Sequence, residues 1–402
     1  MERDTARLDS LTRALVRAKL DALCCRLPQN VLLLTGYWPM LGTAIALLTR
    51  EGTLALIVPE DERDLARRGW VAEERILGFA PATLEHLGDS DTAARPLLAE
   101  AAGRMGLDRA SIGYEGGESS TPAPYVALTT YGRESLALYK AAIPEATFLE
   151  ATALLADQRA HLTGREIAAT GRACTVAELA FRSAHAALRP GVTEAQIAAA
   201  AQGELEAAGL QIAGTQRAGG RVFCMSGPRS AEAYRAYALT SNRTLQQGDF
   251  VLVHINSYVD GFWTDLTRTY FLGVPSGRQL AMYEAVLEAR LRALHTLGAG
   301  VRAAKVDAAA RDRLTAAGFG AAFKHQLGHG VGYGAIYYND PPRLHPCSED
   351  ILRENMVCNL EPAIYLTDFG GLRHCDMVAV LDGGSQLLSP FHSSLAELLI
   401  TD

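Results

Sequence analysis

The 402-residue sequence contains no apolar run of about 18 residues, so no membrane-spanning helix is expected. No signal peptide is visible: Met1 to Asp9 is highly charged, and the first apolar residues carry helical spacing. Positive charge is not in excess. With 38 Lys and Arg against 45 Asp and Glu, the net charge of −7 speaks against nucleic acid or an anionic membrane as a main partner. Cysteine is sparse and odd in number, with seven scattered residues. Cys24 and Cys25 are adjacent, on opposite faces of an expected strand, so no disulfide framework is expected and a cytoplasmic location is. No internal repeat or low-complexity tract occurs, beyond an alanine enrichment that helix propensity explains.

What is present suits an ordinary globular chain. Hydrophobic residues make up 49% and charged residues 21%, and the length is enough for two domains with substantial cores. Leu8, Leu11, Leu15 and Ala18 predict a helix over 7–22. Strands are predicted at Ala22–Cys25 and Val31–Leu34, separated by a turn at Pro28-Gln29-Asn30. A further strand pair, Ala44–Leu48 and Leu54–Val58, flanks Glu51-Gly52, and the alternation runs on to Ile112-Gly113-Tyr114-Glu115 in an α/β pattern. From Glu150 to Ala208 the chain turns Ala-rich and helical, with a break at Arg189-Pro190-Gly191. After Gly219 it is strand-rich and glycine-punctuated, with helices predicted at Gln279–Leu297 and Val306–Ala317. The change of character places a domain boundary near 150, giving domains 1–150 and 151–402.

Four polar features stand out in the second part. The first is Gly248-Asp249-Phe250-Val251-Leu252-Val253-His254, followed by Asp260-Gly261 and then Asp265-Leu266-Thr267-Arg268-Thr269. Two β-type runs flanking Asp-Gly predict a hairpin with a two-residue loop. That loop sets Thr267 opposite His254 and makes Asp265 its diagonal neighbour on the same face. The second feature is His325-Gln326-Leu327-Gly328-His329-Gly330-Val331-Gly332. Its glycines make a helix implausible, and Gln326 stands where a metalloprotease helix would carry its general-base Glu. A strand or loop that allows close backbone approach fits better. In the third, Glu361 sits in the apolar run Val357–Tyr365, where a buried carboxylate needs a partner charge or a metal. The fourth, Gly370-Gly371-Leu372-Arg373-His374-Cys375-Asp376, sets polar groups at the start of an apolar strand.

In this order the four features resemble the pita-bread metallopeptidase family, which includes methionine aminopeptidase, aminopeptidase P, prolidase and creatinase. Arg7 to Gly36 looks like the opening of a prolidase or creatinase amino-terminal domain, and Pro190-Gly191-Val192-Thr193-Glu194 matches a family helix link. The resemblance implies an α+β fold class: a pita-bread C-terminal domain preceded by a smaller α/β N-terminal domain. It also implies a homodimer.

Family peptidases hold two divalent metals with Asp, Asp, His, Glu and Glu, which position the water that attacks the scissile carbonyl. The resemblance carries the second Asp onto Asp265, the His onto His329 and the first Glu onto Glu361. His254 stands at the first Asp position and Cys375 at the last Glu position. Two substrate-facing histidines align with Tyr234 and Ile336, and Arg373 belongs to the substrate side of the pocket. Loss of bridging carboxylate removes negative charge that offsets two dications about 3–4 Å apart, so one metal is expected. An imidazole and a thiolate shift the preference toward Fe or Zn, with Mn open, and a cation beside Cys375 lowers its pKa.

The leading expectation is a mononuclear metalloenzyme cleaving a C–N or amide bond of a small molecule. Asp265, His329 and Glu361 bind the metal, His254 acts as fourth ligand or general base, and Tyr234 or His325 orients substrate. A second reading is a non-haem iron oxygenase built on His254, His329 and one carboxylate. A third is a peptidase-like binding module without catalysis, and a fourth an Xaa-Pro peptidase with substituted ligands. Creatinase activity itself is not expected, because Tyr234 replaces its catalytic histidine.

Overall fold

The computed structural model describes residues 3–85, 87–117, 119–120, 129–130, 132–235, 239–335 and 340–401. The chain divides into two compact units, Met1–Arg159 and Ala160–Asp402. No helix among the described residues is long and apolar enough to cross a membrane.

The first unit is built on a mixed sheet. Strand Ala22–Cys25 pairs antiparallel with Ile45–Thr49 and parallel with Ser111–Tyr114, and Leu54–Pro59, Ile76–Phe79 and Thr147–Glu150 extend the two sides. Residues 31–34, predicted as a strand, instead lie within the helix Pro28–Thr35. The run Val31–Leu34 is buried on every side and so carries no period that separates helix from strand. The local chemistry decides. Pro28 sits at the first helical turn, Gly36 closes the helix with φ 67°, and the Gly36 N–H donates to the Leu32 carbonyl. The buried Glu115 carboxylate accepts from the backbone N–H of Arg26 (2.5 Å) and Leu27 (2.9 Å) and from the Asn30 amide (2.8 Å). A negative group placed there complements the helix N-terminus.

The second unit pairs its long strand Phe250–Val259 with Ala218–Ser226 on one side and Leu266–Leu272 on the other. Helices Gly164–Ala187, Glu194–Ala207, Gly277–Thr296 and Ala303–Ala316 pack around the strands. Ala173, Ala177, Ala180 and Ala184 form one buried helix face, and their small size lets the backbone approach the sheet. The Ser257 hydroxyl reaches the Ala173 carbonyl at 2.8 Å. Thr163 with Glu166, Thr193 with Gln196 and Ser276 with Gln279 form reciprocal caps, each contributing about 1 kcal/mol. Thr193 belongs to the Pro-Gly-Val-Thr-Glu link, whose function is therefore to start a helix.

A second layer consists of Val357–Leu360, Asp376–Leu381 and Gly384–Leu387, with the hairpin Ala363–Leu366 and Gly370–Arg373 beside it. Arg268, wholly buried, binds the layers together. Its guanidinium donates to the carbonyls of Thr267, Cys375, Ser389 and Phe391 and to the Asp376 carboxylate at 2.8 Å. Burial alone would raise the Asp376 carboxyl, but Arg268, His374 and Arg290 hold it well below the carboxylate range. A buried arginine satisfied in this way fixes the position of the 373–376 segment.

Candidate metal centre

The hairpin forms as its sequence dictates. Asp260 (φ 51°) and Gly261 (φ 91°) make the two-residue loop between paired Val259 and Phe262, and His254 stands opposite Thr267. Asp265, just before the strand Leu266–Leu272, therefore shares the face of His254. Its Oδ1 lies 3.7 Å from His254 Nδ1 and its Oδ2 lies 3.6 Å from His329 Nε2.

His329 reaches the site through glycine. A Cβ on Gly328 would lie 2.2 Å from the Asn359 carbonyl, and one on Gly330 would lie 2.2 Å from the Pro341 carbonyl. These close approaches are between chain segments rather than toward a ligand. They let the His329 N–H donate to Asn359 Oδ1 at 2.7 Å. The ring Nδ1 faces the Gly330 carbonyl at 3.0 Å, which leaves Nε2 as the nitrogen on the Asp265 side. Burial lowers an imidazole, but Asp265 and Glu361 outweigh it and hold His329 above its ordinary value.

Cys375 is placed by the backbone. Its N–H donates to the Thr267 carbonyl at 3.0 Å, and its thiol donates to the Asp265 carbonyl at 3.0 Å. Donor atoms of Asp265, Glu361 and Cys375 converge within 4.8 Å of one another, all buried. Burial pushes the Glu361 carboxyl up to about 7 and the Cys375 thiol well above its ordinary value. Two carboxylates and a thiol gathered away from water, with the His329 imidazole against one of the carboxylates, are donors of the kinds a divalent ion takes. Asp265, His329, Glu361 and Cys375 fit such an ion.

His254 is held differently. Its Nδ1 accepts from Arg373 Nη2 at 3.1 Å and lies 3.0 Å from the Thr267 hydroxyl. An arginine can only donate, so Nδ1 is the acceptor and Nε2 carries the hydrogen. That hydrogen points to Asn256 Oδ1 at 3.2 Å, and the Asn256 amide donates to the Thr264 carbonyl at 3.1 Å. Burial pulls His254 down to about 4, with Arg373 acting in the same direction against Asp265. The two-histidine, one-carboxylate set of the oxygenase reading is not assembled, because the His254 lone pair is turned to a guanidinium.

The remaining predicted residues that are described meet at Tyr365. His325 Nδ1 donates to the Gln326 carbonyl at 2.7 Å, and its Nε2 accepts from the Tyr365 hydroxyl at 3.1 Å. Tyr234 is 37% exposed, and its ring lies 5.4 Å from that of Tyr365. His325 is thus joined to Tyr365, which the sequence reasoning missed. Asn359, which holds both the His329 backbone and its ring (Nδ2 to Nε2, 3.3 Å), was missed as well. Both lie an even number of positions from Glu361, the spacing that alternation in a strand would have flagged. Ile336 lies outside the described residues.

Comparison with known proteins identifies the family and the fold. The model of metallopeptidase family M24 matches residues 168–382, and that of the creatinase/prolidase N-terminal domain matches residues 7–161. The chain belongs to metallopeptidase family M24. It is 30% identical over 236 residues to an Xaa-Pro dipeptidase of Pyrococcus horikoshii, covering 59% of this chain and 64% of that protein. Less than two thirds of that relative's length is therefore matched. An Xaa-Pro dipeptidase of Lactobacillus helveticus is 30% identical over 260 residues, covering 64% of this chain and 68% of its own length. Among solved structures, the prolidase of Pyrococcus horikoshii superposes with a TM-score of 0.75 at 25% identity, covering 96% of this chain and 98% of that one. A dipeptidase of Mycobacterium ulcerans gives 0.74 at 26% identity over the full length of both. The mixed α/β architecture with a creatinase-type N-terminal domain is that of the pita-bread peptidases.

Proposed function

We propose that the chain is a metal-dependent amide hydrolase acting on a small peptide-like substrate, with Xaa-Pro dipeptides the first class to test. One divalent ion, Zn or Fe ahead of Mn, is held by Asp265, His329, Glu361 and Cys375. The observation that carries this reading is the buried convergence of Asp265, Glu361 and Cys375 donors within 4.8 Å, with His329 Nε2 against Asp265. The expectation of a non-peptide substrate gives way here, because the relatives named above bear dipeptidase or prolidase names. A pure binding module has no need of three buried donors that repel or strain one another without an ion.

When bound, the ion supplies Lewis-acid polarisation of the scissile carbonyl and activation of a water. The protein's own groups do the rest. The Gly330 carbonyl holds the His329 Nδ1 side and Asn359 Oδ1 holds its backbone N–H, as outer partners of a metal ligand do. The Tyr365 hydroxyl donates to His325 and so keeps an acceptor oxygen for substrate, with the Tyr234 ring tilted against it. Burial keeps bulk water from the charged groups, which strengthens their field.

The test is release of proline from Xaa-Pro dipeptides by protein loaded separately with Zn, Fe(II), Mn or Co, alongside elemental analysis. The reading expects turnover with one bound equivalent. No turnover with any ion, or no retained ion, overturns it.

A further inference from the structure

Away from the candidate centre, the second unit holds a cavity of about 600 Å³ between the helix Gly164–Ala187 and the segment 390–399. Glu178, Arg182 and His185 reach it at helical spacing, and His392 and Glu397 line it from the segment opposite. The two imidazoles are partly buried and lie against each other, with ring centres 5.2 Å apart and planes at 45°. Wholly buried Tyr270 supports both. Its hydroxyl is 2.7 Å from His392 Nδ1, and its ring lies edge-on to His185 at 5.4 Å. No described residue hydrogen-bonds the His185 ring. His392 keeps its place in left-handed backbone, φ 43°, a conformation uncommon outside glycine.

We propose that His185 and His392 form a separate binding site for a nitrogen-seeking divalent ion, Zn(II), Ni(II) or Cu(II). Geometry carries the argument. Two imidazoles bound at about 2.0–2.1 Å to one tetrahedral ion set their ring centres about 5 Å apart, the spacing this pair has without an ion. With Nδ1 of His392 donating to the Tyr270 oxygen, Nε2 is the nitrogen left for the ion, and Tyr270 is the outer partner such a ligand carries. Burial lowers both imidazoles, His392 to about 4, so neither has a proton to release near neutral pH. Charge agrees. The Arg182 guanidinium is taken up by Glu178, at 3.1 and 2.6 Å. Glu397 accepts from the N–H groups of Ser393 and Ser394 and from the Ser394 hydroxyl through Oε2 alone, so Oε1 is open to the ion or its water. Among the described residues only Asp265, Glu361 and Cys375 form a trio of donors within 4.8 Å. The histidine pair therefore completes its ion with water and binds more weakly than a site of three or four protein ligands. Imidazole donors select against Mg and Mn.

The experiment is calorimetric titration of the full chain with Ni(II), and with Mg(II) as the comparison ion. The wild type is expected to take up one more equivalent of Ni(II) than His185→Ala or His392→Ala, and no matching equivalent of Mg(II). His329→Ala, which alters the candidate centre, should keep that equivalent. Carbethoxylation of His185, mapped by mass spectrometry in the wild type, should slow by roughly tenfold or more at saturating Ni(II), because the modified and the metal-bound nitrogen are the same lone pair. Equal uptake and affinity in wild type and folded His185→Ala overturn the proposal, as does His185 modified at an unchanged rate with Ni(II) present. The modification experiment uses no variant, so it decides the matter if an alanine variant fails to fold. Loss of the equivalent in His329→Ala but not in His185→Ala assigns the ion to the candidate centre and overturns this site. None of these readouts involves turnover, so failure of the proposed function leaves them standing.

Discussion

His254 and His329 flank the same carboxylate at nearly equal distance, 3.7 Å to one oxygen of Asp265 and 3.6 Å to the other. Both are buried, yet one lies well below the ordinary imidazole range and the other above it. Distance to Asp265 does not separate them. What stands on the far side does: Arg373 donates to the lone pair of His254, whereas Glu361 adds negative charge near His329 and the Gly330 carbonyl takes its Nδ1 hydrogen. The same side chain is held low in one place and high in the other, and the sign of the neighbour decides which.

The sharpest way to break that comparison is His329→Ala. Losing a direct ligand should lower metal affinity and turnover by more than about 100-fold, beyond the range for outer partners. If His254→Ala lost as much metal in the same titration, the two imidazoles would be equivalent and the contrast would fall. Asn359→Ala leaves His329 in place but removes the acceptor for its backbone N–H, so a loss of roughly 10–100-fold in metal affinity is expected. Affinity within error of wild type would show that His329 holds its place unaided. The smallest effect belongs to Asn256→Ala. It removes the acceptor for His254 Nε2 and should lower unfolding stability by about 1 kcal/mol. It should leave metal content unchanged in urea-melt and elemental measurements; a fall in metal content would make His254 a ligand after all.

The sequence disclosed the parts of this site that depend on parity and spacing. The Asp-Gly loop fixes the register of the hairpin, so the placement of His254 against Thr267 follows from counting. The assignment of His254 and Cys375 to substituted ligand positions rests on the same kind of counting, each at a fixed offset in a short motif. Arg373 was read as a pocket residue, but its attachment to His254 was not foreseen. That contact depends on where the strand Gly370–Arg373 crosses the hairpin, a tertiary fact with no local signature. The helix Pro28–Thr35 was misread for a related reason. A short run buried on all sides shows no period, and the deciding contact is Glu115, some 85 residues away from Asn30. The glycines of 328–332 pointed correctly to close approach and misled about its object.

The backbone bridge between Thr267 and Cys375 has a chemical consequence for the thiol. Cys375 has no exposed surface, its carbonyl is held by Arg268, and its own N–H is spent on the neighbouring strand. It cannot swing outward by a rotamer change alone. Alkylating reagents and peroxide therefore meet this sulfur only when the two layers part, and its rate of modification reports how often the folded chain opens there.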